Sequence, residues 1–251
     1  YKLGASYSVW DGEEMLEYAI RSIRSEVDYV NVVWQKVSWF GSPCSDGLEP
    51  MLKKLRDEKL IDELIFFEPD LNALPAENET GKRNVGLEAA RKAGCTHFIT
   101  LDTDELFDAE EFKTSKEIIY QFGLTHTACP IITYFSPTVR IVGGKTGCTL
   151  PFICSIEKGE KLVLNAHQPW YADPTRKIPV SKNSRPFFMH TVCMHHFPRC
   201  RHDLNKKIQN STMNQSAEGR ENLKAFLNLD PEKMLEDGFC VKTSNKFGLP
   251  F

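Results

Sequence analysis

Lys2 to Tyr7 (KLGASY) has the apolar and aromatic content of a short strand, and Trp10-Asp11-Gly12 follows as a turn. From Glu13 to Ser25 the residues Leu16, Ala19, Ile20 and Ile23 recur at helical spacing, with Glu13 and Glu14 in the first turn, where acids suit the helix dipole. Val27 to Trp34 (VDYVNVVW) reads as a second strand. Strand, helix and strand in so short a span make a βαβ unit, whose crossover forces the two strands parallel. They then end near Ser8 and Gln35 on one edge of the sheet, and ligands of such sheets bind at the carboxyl edge. The expected fold class is therefore α/β.

The alternation continues. Gln35 to Asp46 is loop-like; a helix is expected at about Leu48 to Lys59 and a third strand at Glu63 to Phe67. Glu68 to Thr80, rich in proline, acids and turn formers, reads as a surface loop. Gly81 to Gly94 reads as a helix closed by glycine, which puts Lys82 and Arg83 in its first turn. Cations there oppose the dipole and suit an anion, or are simply solvated. A helix is expected at Ala109 to Phe122 and a strand at His126 to Tyr134. Beyond Ser136, Gly143 to Gly147 reads as a hairpin or flexible loop without phosphate-loop spacing, and Pro151 to Glu157 is expected to pair with Lys161 to Leu164. A basic, amide-rich helix is expected from about Asp203 to Asn214, and another starts at Pro231-Glu232.

The stretch richest in chemistry is Thr96 to Phe107, THFITLDTDELF. His97 to Leu101 has the content of a short buried strand and stops at Asp102-Thr103-Asp104-Glu105. Carboxylates at i and i+2 near a strand end turn toward a common point once the backbone bends. They are hard oxygen ligands suited to Mg²⁺ or Mn²⁺, which in turn hold diphosphates. The plainer reading is that the same acids solvate a strand-to-loop junction. Farther on, His190 to Arg199 concentrates three of the seven histidines.

Composition excludes several partners. A net charge of −3 shows no basic excess, so nucleic acid is not expected. No run approaches the roughly 18 apolar residues of a membrane span. The first residue, Tyr1, suggests a fragment or a processed chain. Eight cysteines without CxxC pairs fit reduced thiols and a cytoplasmic setting. The acceptor triplets at Asn78, Asn210 and Asn214 are chance matches to a short pattern.

Taken in order, these elements and their residues resemble a nucleotide-sugar glycosyltransferase of the GT-A fold, closest to the family 2-like group. KLGASYSVWDGEEMLEYAIRSI is similar to the opening strand and helix of those enzymes. GKRNVGLEAARKAGCTHFITLDTDELF resembles their basic, asparagine-containing helix followed by the metal-binding DxD, and HHFPRCRHDLNKKIQNS is similar to their C-terminal histidine, basic cluster and helix. The stretches lie between Lys2 and Ser211, with 136–185 matched only loosely.

The resemblance implies one domain over 1–251, with a mixed, mainly parallel sheet flanked by helices. Residues 1–107 would form a nucleotide-sugar half, and 108–251 an acceptor half with a smaller antiparallel region. It implies a metal-dependent hexosyl- or pentosyltransferase moving a sugar from a UDP-linked donor to a glycan hydroxyl, within a larger glycan-assembly system. Asp104 is expected to ligate Mn²⁺ or Mg²⁺, with Thr103 beside it. Asp102 is expected on the donor's ribose or sugar, or on the metal through water. His196 or His195 would be a further ligand, favouring Mn²⁺; neighbours on a strand face opposite sides, so at most one serves. Lys82 and Arg83 would meet the donor's base or diphosphate, Arg199 the diphosphate from the other side, and Tyr7, Val9 and Asp11 the nucleoside.

Inversion needs a carboxylate base for the acceptor hydroxyl. Asp173 and Glu157 are the candidates, ahead of Glu160. Asp173 is preferred because it follows Trp170 and Tyr171, an aromatic pair that either stacks on an acceptor sugar or packs in the core. A retaining enzyme needs no such base. Three other readings stand: a zinc site at Cys193, His195 and Cys200, without a second cysteine pair; a sugar-1-phosphate nucleotidyltransferase, although Ser8 to Gly12 is neither glycine-rich nor basic; and a catalytically silent glycan-binding protein of the same fold.

Overall fold

The structure is a computed structural model and describes residues 1–142, 149–212 and 216–251. The expected loop at 143–147 and the Asn214 triplet lie outside the described residues. Leu3–Val9 (β1), Tyr29–Trp34 (β2) and Glu63–Phe66 (β3) alternate with helices Glu13–Ile23 (α1) and Leu48–Asp57 (α2). β1 lies between β2 and His97–Asp102 (β4), parallel to both. The pairings Val9↔Trp34 and Ser8↔Asp102 bring the carboxyl ends of all three strands to one edge. β2 is buried throughout and β1 nearly so, as befits central parallel strands that read as apolar runs.

Period-two alternation sorts the sheet's side chains between two cores. On one face Ala5, Tyr7, Val30, Val32, Ile99 and Leu101 pack with Leu16, Ile20 and Ile23 of α1; each fully buried Leu or Ile contributes about 1.5–3 kcal/mol. On the other, Tyr29 and Phe98 pack with Leu87 and Ala90 of the helix Pro75–Lys92 (α3). α3 approaches β1 so closely that a Cβ at Gly86 would sit 1.9 Å from Ser6 Oγ. Ser6 Oγ donates to Asn31 Oδ1 at 2.6 Å and Asn31 Nδ2 to Gly86 O at 2.9 Å, stitching the three elements together.

α3 corrects the sequence reading. It begins at Pro75, not Gly81, with Glu77 accepting from the Leu74 amide at 3.2 Å. Asn78 pairs with the Asp70 backbone at 2.8 and 2.9 Å and folds the preceding loop onto the helix. Lys82 and Arg83 are therefore not in a first turn but well inside the helix, 1% and 0% exposed.

The later half contributes Glu105–Leu106 (β5), Ala109–Phe122 (α4), His126–Ser136 (β6), Val139–Ile141 (β7), Thr149–Ser155 (β8), Pro186–Phe188 (β9), Met194–His196 (β10), Leu204–Asn210 (α5), Ala217–Leu227 (α6), Pro231–Glu236 (α7) and Cys240–Lys242 (β11). The main sheet runs β11-β7-β6-β8-β4-β1-β2-β3, parallel from β4 through β1 and β2 to β3 and antiparallel from β11 to β4. The mixed, mainly parallel α/β architecture with a smaller antiparallel part is present. Lys161 to Leu164 is not a strand: β8 spends its hydrogen bonds on β6 and β4, leaving none for that segment. β10 pairs with β5 and β6, setting His196 opposite Glu105. Among the described residues no helix is long and apolar enough to cross a membrane, and Cys44, Cys95, Cys129, Cys154, Cys193, Cys200 and Cys240 are free thiols.

Candidate active site

A cavity of about 630 Å³ opens where β1, β2 and β4 end, walled by the loop after β2, the turn at 173–176 and helices α5 and α6. Ser38 Oγ donates to Asn210 Oδ1 at 2.7 Å and holds the loop against α5. Asp102 and Asp104 lie on the floor, and Thr103 lines it between them.

The two aspartates are held differently. Asp102 accepts from Arg83 Nη2 at 2.9 Å and, on its other oxygen, from Arg176 Nη2. Burial alone would raise its carboxyl; Arg176 and Arg83 override this and lower it. Asp104 Oδ2 accepts from Arg201 Nη2 and Lys207 Nζ, both at 2.8 Å, while His196 Nε2 stands 3.8 Å from Oδ1. Here too burial opposes ionisation, and Lys207, Arg201 and His196 together hold the carboxyl well below the usual range. Burial pulls the His196 ring down to about 4, against the pull of Asp104. Asp11 Oδ2 accepts from Arg201 Nη1 at 3.0 Å. This crowding needs Gly12: its φ is +80°, and a Cβ there would meet Thr103 Oγ1 at 2.3 Å and Arg201 Nη1 at 2.6 Å.

Arg176 links the turn to the floor. It is buried and donates to Glu105 Oε2 at 2.7 Å as well as to Asp102. Asp173 lines the cavity, its Oδ1 accepting from the Thr175 amide and hydroxyl at 2.8 and 2.7 Å, its Oδ2 lying 3.2 Å from Arg176 Nε. Five polar atoms of cavity-lining residues are buried and lack a hydrogen-bond partner among the described residues: Ser8 Oγ, Trp10 Nε1, Gln35 Oε1, Arg176 Nε and Arg201 Nε. Gln35 Nε2 donates to Val37 O at 2.8 Å, which fixes the amide and leaves its oxygen to accept. A ligand with both a donor and an acceptor would satisfy these atoms.

Lys82 Nζ donates to Val9 O at 2.8 Å and lies 5.5 Å from the centre of the Trp39 ring. Burial, then Arg83, lowers its ammonium to about 7, against the opposing pull of Asp102 and Glu79. An anion arriving in the cavity opposes both influences and is expected to draw a proton onto Lys82. Sulfate, which does not titrate in this range, should bind with proton uptake, seen as a buffer-dependent enthalpy, and more weakly as pH rises through 7. Lys82→Met should abolish that buffer dependence; uptake persisting in the variant would move the effect elsewhere.

Several expected site residues lie outside the cavity lining. Tyr7 and Val9 share the Leu3 and Ala5 face: the Tyr7 hydroxyl donates to Ala19 O at 2.9 Å inside the core, and only the Val9 carbonyl turns to the site. Ser8, between them, lines the cavity. Arg199 donates to Leu229 O at 2.8 Å and covers the Phe135 ring, facing the C-terminal helices. His195 is buried, with Nδ1 2.8 Å from Tyr134 Oη, on the side of β10 opposite His196. Glu157 is exposed, and Glu160 accepts from the Lys158 amide at 2.7 Å; neither lines the cavity. Trp170 donates to Gln168 Oε1 at 3.0 Å and Tyr171 is 72% exposed; the aromatic residues lining the cavity are instead Trp10, Trp39 and Phe226. Cys193, His195 and Cys200 are not gathered: among the described residues no three His, Cys, Asp or Glu side chains form a metal-holding group.

The sequence reading missed Gln35, Glu79, Glu105, Arg176, Arg201 and Lys207. Gln35 had a signal, being the first polar residue beyond a buried strand. Arg201 and Lys207 lie in the quoted basic stretch, but only the fold separates them from Arg199.

The pair Asp104 Oδ1 and His196 Nε2 is the arrangement that suits a divalent ion. Both atoms belong to cavity-lining residues, and Mg²⁺ or Mn²⁺ is commonly held by one or two protein groups together with substrate phosphates. Asp102 has both of its oxygens on arginines.

Fold and site together define a mixed α/β protein with a polar, ion-paired cavity at the carboxyl edge of its parallel strands. No protein-family model matches the chain, and no curated protein matches it. Among solved structures, S. aureus TarS matches 90% of this chain and 43% of its own, at 12% identity and a TM-score of 0.46. The chain thus spans less than half the length of that neighbour. A 1–349 portion of TarS in complex with UDP-GlcNAc matches 95% of this chain and 70% of its own, at 13% identity and a TM-score of 0.45. GalNAc-T7 with UDP, GalNAc and Mn²⁺ matches 78% and 44%, at 10% identity and a TM-score of 0.48.

Proposed function

We propose that this chain is a GT-A-type glycosyltransferase that moves a sugar from a UDP-linked donor to an acceptor hydroxyl with the help of a divalent ion. One observation carries the reading: a cavity at the carboxyl strand edge joins the Asp104–His196 pair, a set of buried cations and the unpaired polar atoms of Ser8, Trp10 and Gln35. Those parts match a nucleoside diphosphate. Gln35 Oε1 offers an acceptor for the uracil N3–H and Trp10 Nε1 a donor for a uracil carbonyl. Lys82, Arg201 and Lys207 offer charge to the diphosphate.

Asp104 and His196 would hold the Mn²⁺ or Mg²⁺, which when bound supplies charge neutralisation to the leaving diphosphate. Asp102, fixed by Arg83 and Arg176, is a rigid acceptor for the donor's ribose or sugar hydroxyls. Asp173, in the cavity lining, would be the base of an inverting transfer: Oδ1 is spent on its turn, and Oδ2, 3.2 Å from Arg176 Nε, would take the acceptor's proton.

Calorimetric titration of UDP and GDP, each with Mn²⁺, Mg²⁺ or chelator, tests the reading. UDP binding strengthened by Mn²⁺ is the expected result; no nucleotide binding under any condition overturns it. Asp173→Asn keeps the turn's acceptor but cannot take a proton, so UDP release from a turning-over UDP-sugar should fall about 10²–10⁴-fold in kcat at little change in KM. An unchanged kcat removes Asp173 from the mechanism. Pyrophosphate release from UTP would instead identify a nucleotidyltransferase.

A further inference from the structure

Asp104 is more heavily paired than a metal ligand needs to be. Its Oδ2 accepts from both Arg201 and Lys207 at 2.8 Å, and Arg201 reaches on to Asp11 at 3.0 Å. Lys206 Nζ stands 3.7 Å from the other Asp11 oxygen. These cations all come from residues 201–207, where the chain turns into α5. They are well covered: the side chains of Arg201 and Lys207 are 9% and 17% exposed, that of Asp104 3%. A divalent ion approaching Asp104 Oδ1 and His196 would find the carboxylate's charge already shared by two nearby cations. Like charges at such range in a poorly hydrated site repel strongly. The arrangement becomes favourable once several negative charges arrive with the ion, because Arg201 and Lys207 can then turn to the newcomer.

We propose that Arg201 and Lys207 are the residues that receive the donor's diphosphate, with Asp104 as their placeholder while the cavity is empty. They keep free divalent ion off Asp104 and yield it when the diphosphate takes them over, so ion and nucleotide are taken up together. This rests on the glycosyltransferase reading for the identity of the diphosphate. The gate itself rests only on the ion pairs.

The two claims separate in one experiment. Binding of Mn²⁺ alone, followed by loss of the free-ion paramagnetic resonance signal, is measured for the wild type, Lys207→Gln and Arg201→Gln/Lys207→Gln, then repeated with saturating UDP. The wild type is expected to bind Mn²⁺ at least ~100-fold more weakly without UDP than with it. Each variant is expected to gain tenfold or more in affinity for Mn²⁺ alone and to lose affinity for UDP. Lys207→Gln keeps Arg201 on Asp104 and so covers the case in which the double variant does not fold. Equal wild-type affinity for Mn²⁺ with and without UDP overturns the gate, as does a variant with no gain. Failure of UDP to bind anywhere overturns the glycosyltransferase reading, and the Mn²⁺-alone comparison still decides the gate.

Discussion

Asp104→Asn is expected to slow UDP release from the UDP-sugar by about 10³-fold or more, because it removes the charge on which the proposed metal site and the Arg201–Lys207 pair converge. Asparagine keeps the side chain's shape and one accepting oxygen, so the fold should survive. The native carboxyl is held well below its usual range, so its ionised form stabilises the protein above the unfolded-state value and that contribution is lost as pH falls through the folded one. At neutral pH the variant should therefore lose about 1–3 kcal/mol, the worth of hydrogen bonds to a charged group. Rates measured beside near-ultraviolet circular dichroism separate the two effects. A folded Asp104→Asn that turns over at the wild-type rate would retire Asp104 from catalysis.

The second large effect is on stability. Arg176→Met should lower stability by about 3–5 kcal/mol at pH 7.5, the typical result of removing one partner from a buried ionic cluster. Arg176 is 4% exposed and pairs with Asp102 and with Glu105, which is also 4% exposed. Methionine fills the volume but leaves Glu105 without its cation. In a chain of this size that corresponds to a fall in Tm on the order of 10 °C. Burial already raises the Glu105 carboxyl against the pull of Arg176, and without Arg176 it rises further. The destabilisation should therefore shrink as pH falls, since a protonated Glu105 needs no cation. Thermal unfolding of both proteins at pH 7.5 and pH 5 reads this directly; an equal deficit at both would place the cost in packing rather than charge.

The edge that carries the candidate site was legible early. An apolar β1, an amphipathic α1 and an apolar β2 leave little choice but a parallel pair, and parallel strands present their ligands at one edge. Asp102 and Asp104 could be read as candidate site residues because carboxylates two apart at a strand end are hard oxygen ligands. The side chains of Tyr7 and Val9 face the core for a reason within local reach: with Leu3 and Ala5 they form one apolar face, which leaves Ser8 for the other. The start of α3 was missed because prolines, acids and asparagine also describe a loop. The helix nevertheless begins at Pro75, with Asn78 tying the preceding loop to it through the Asp70 backbone, and that shift carries Lys82 and Arg83 from a first turn into the buried floor.

By itself the sequence determined the parallel core, the edge at which the candidate site lies and the pair of aspartates there, because periodicity and strand ends are local properties of the chain. Tertiary structure alone decided what those aspartates face. His196 meets Asp104 through the pairing of β10 with β5; Arg176 reaches Asp102 from a turn 74 residues away, and Lys207 reaches Asp104 across 103. Which of Arg199, Arg201 and Lys207 enters the cavity depends on how the chain turns into α5. Charge pairing over such separations leaves no periodic trace, since its energy comes from burial in a common site rather than from neighbours along the chain.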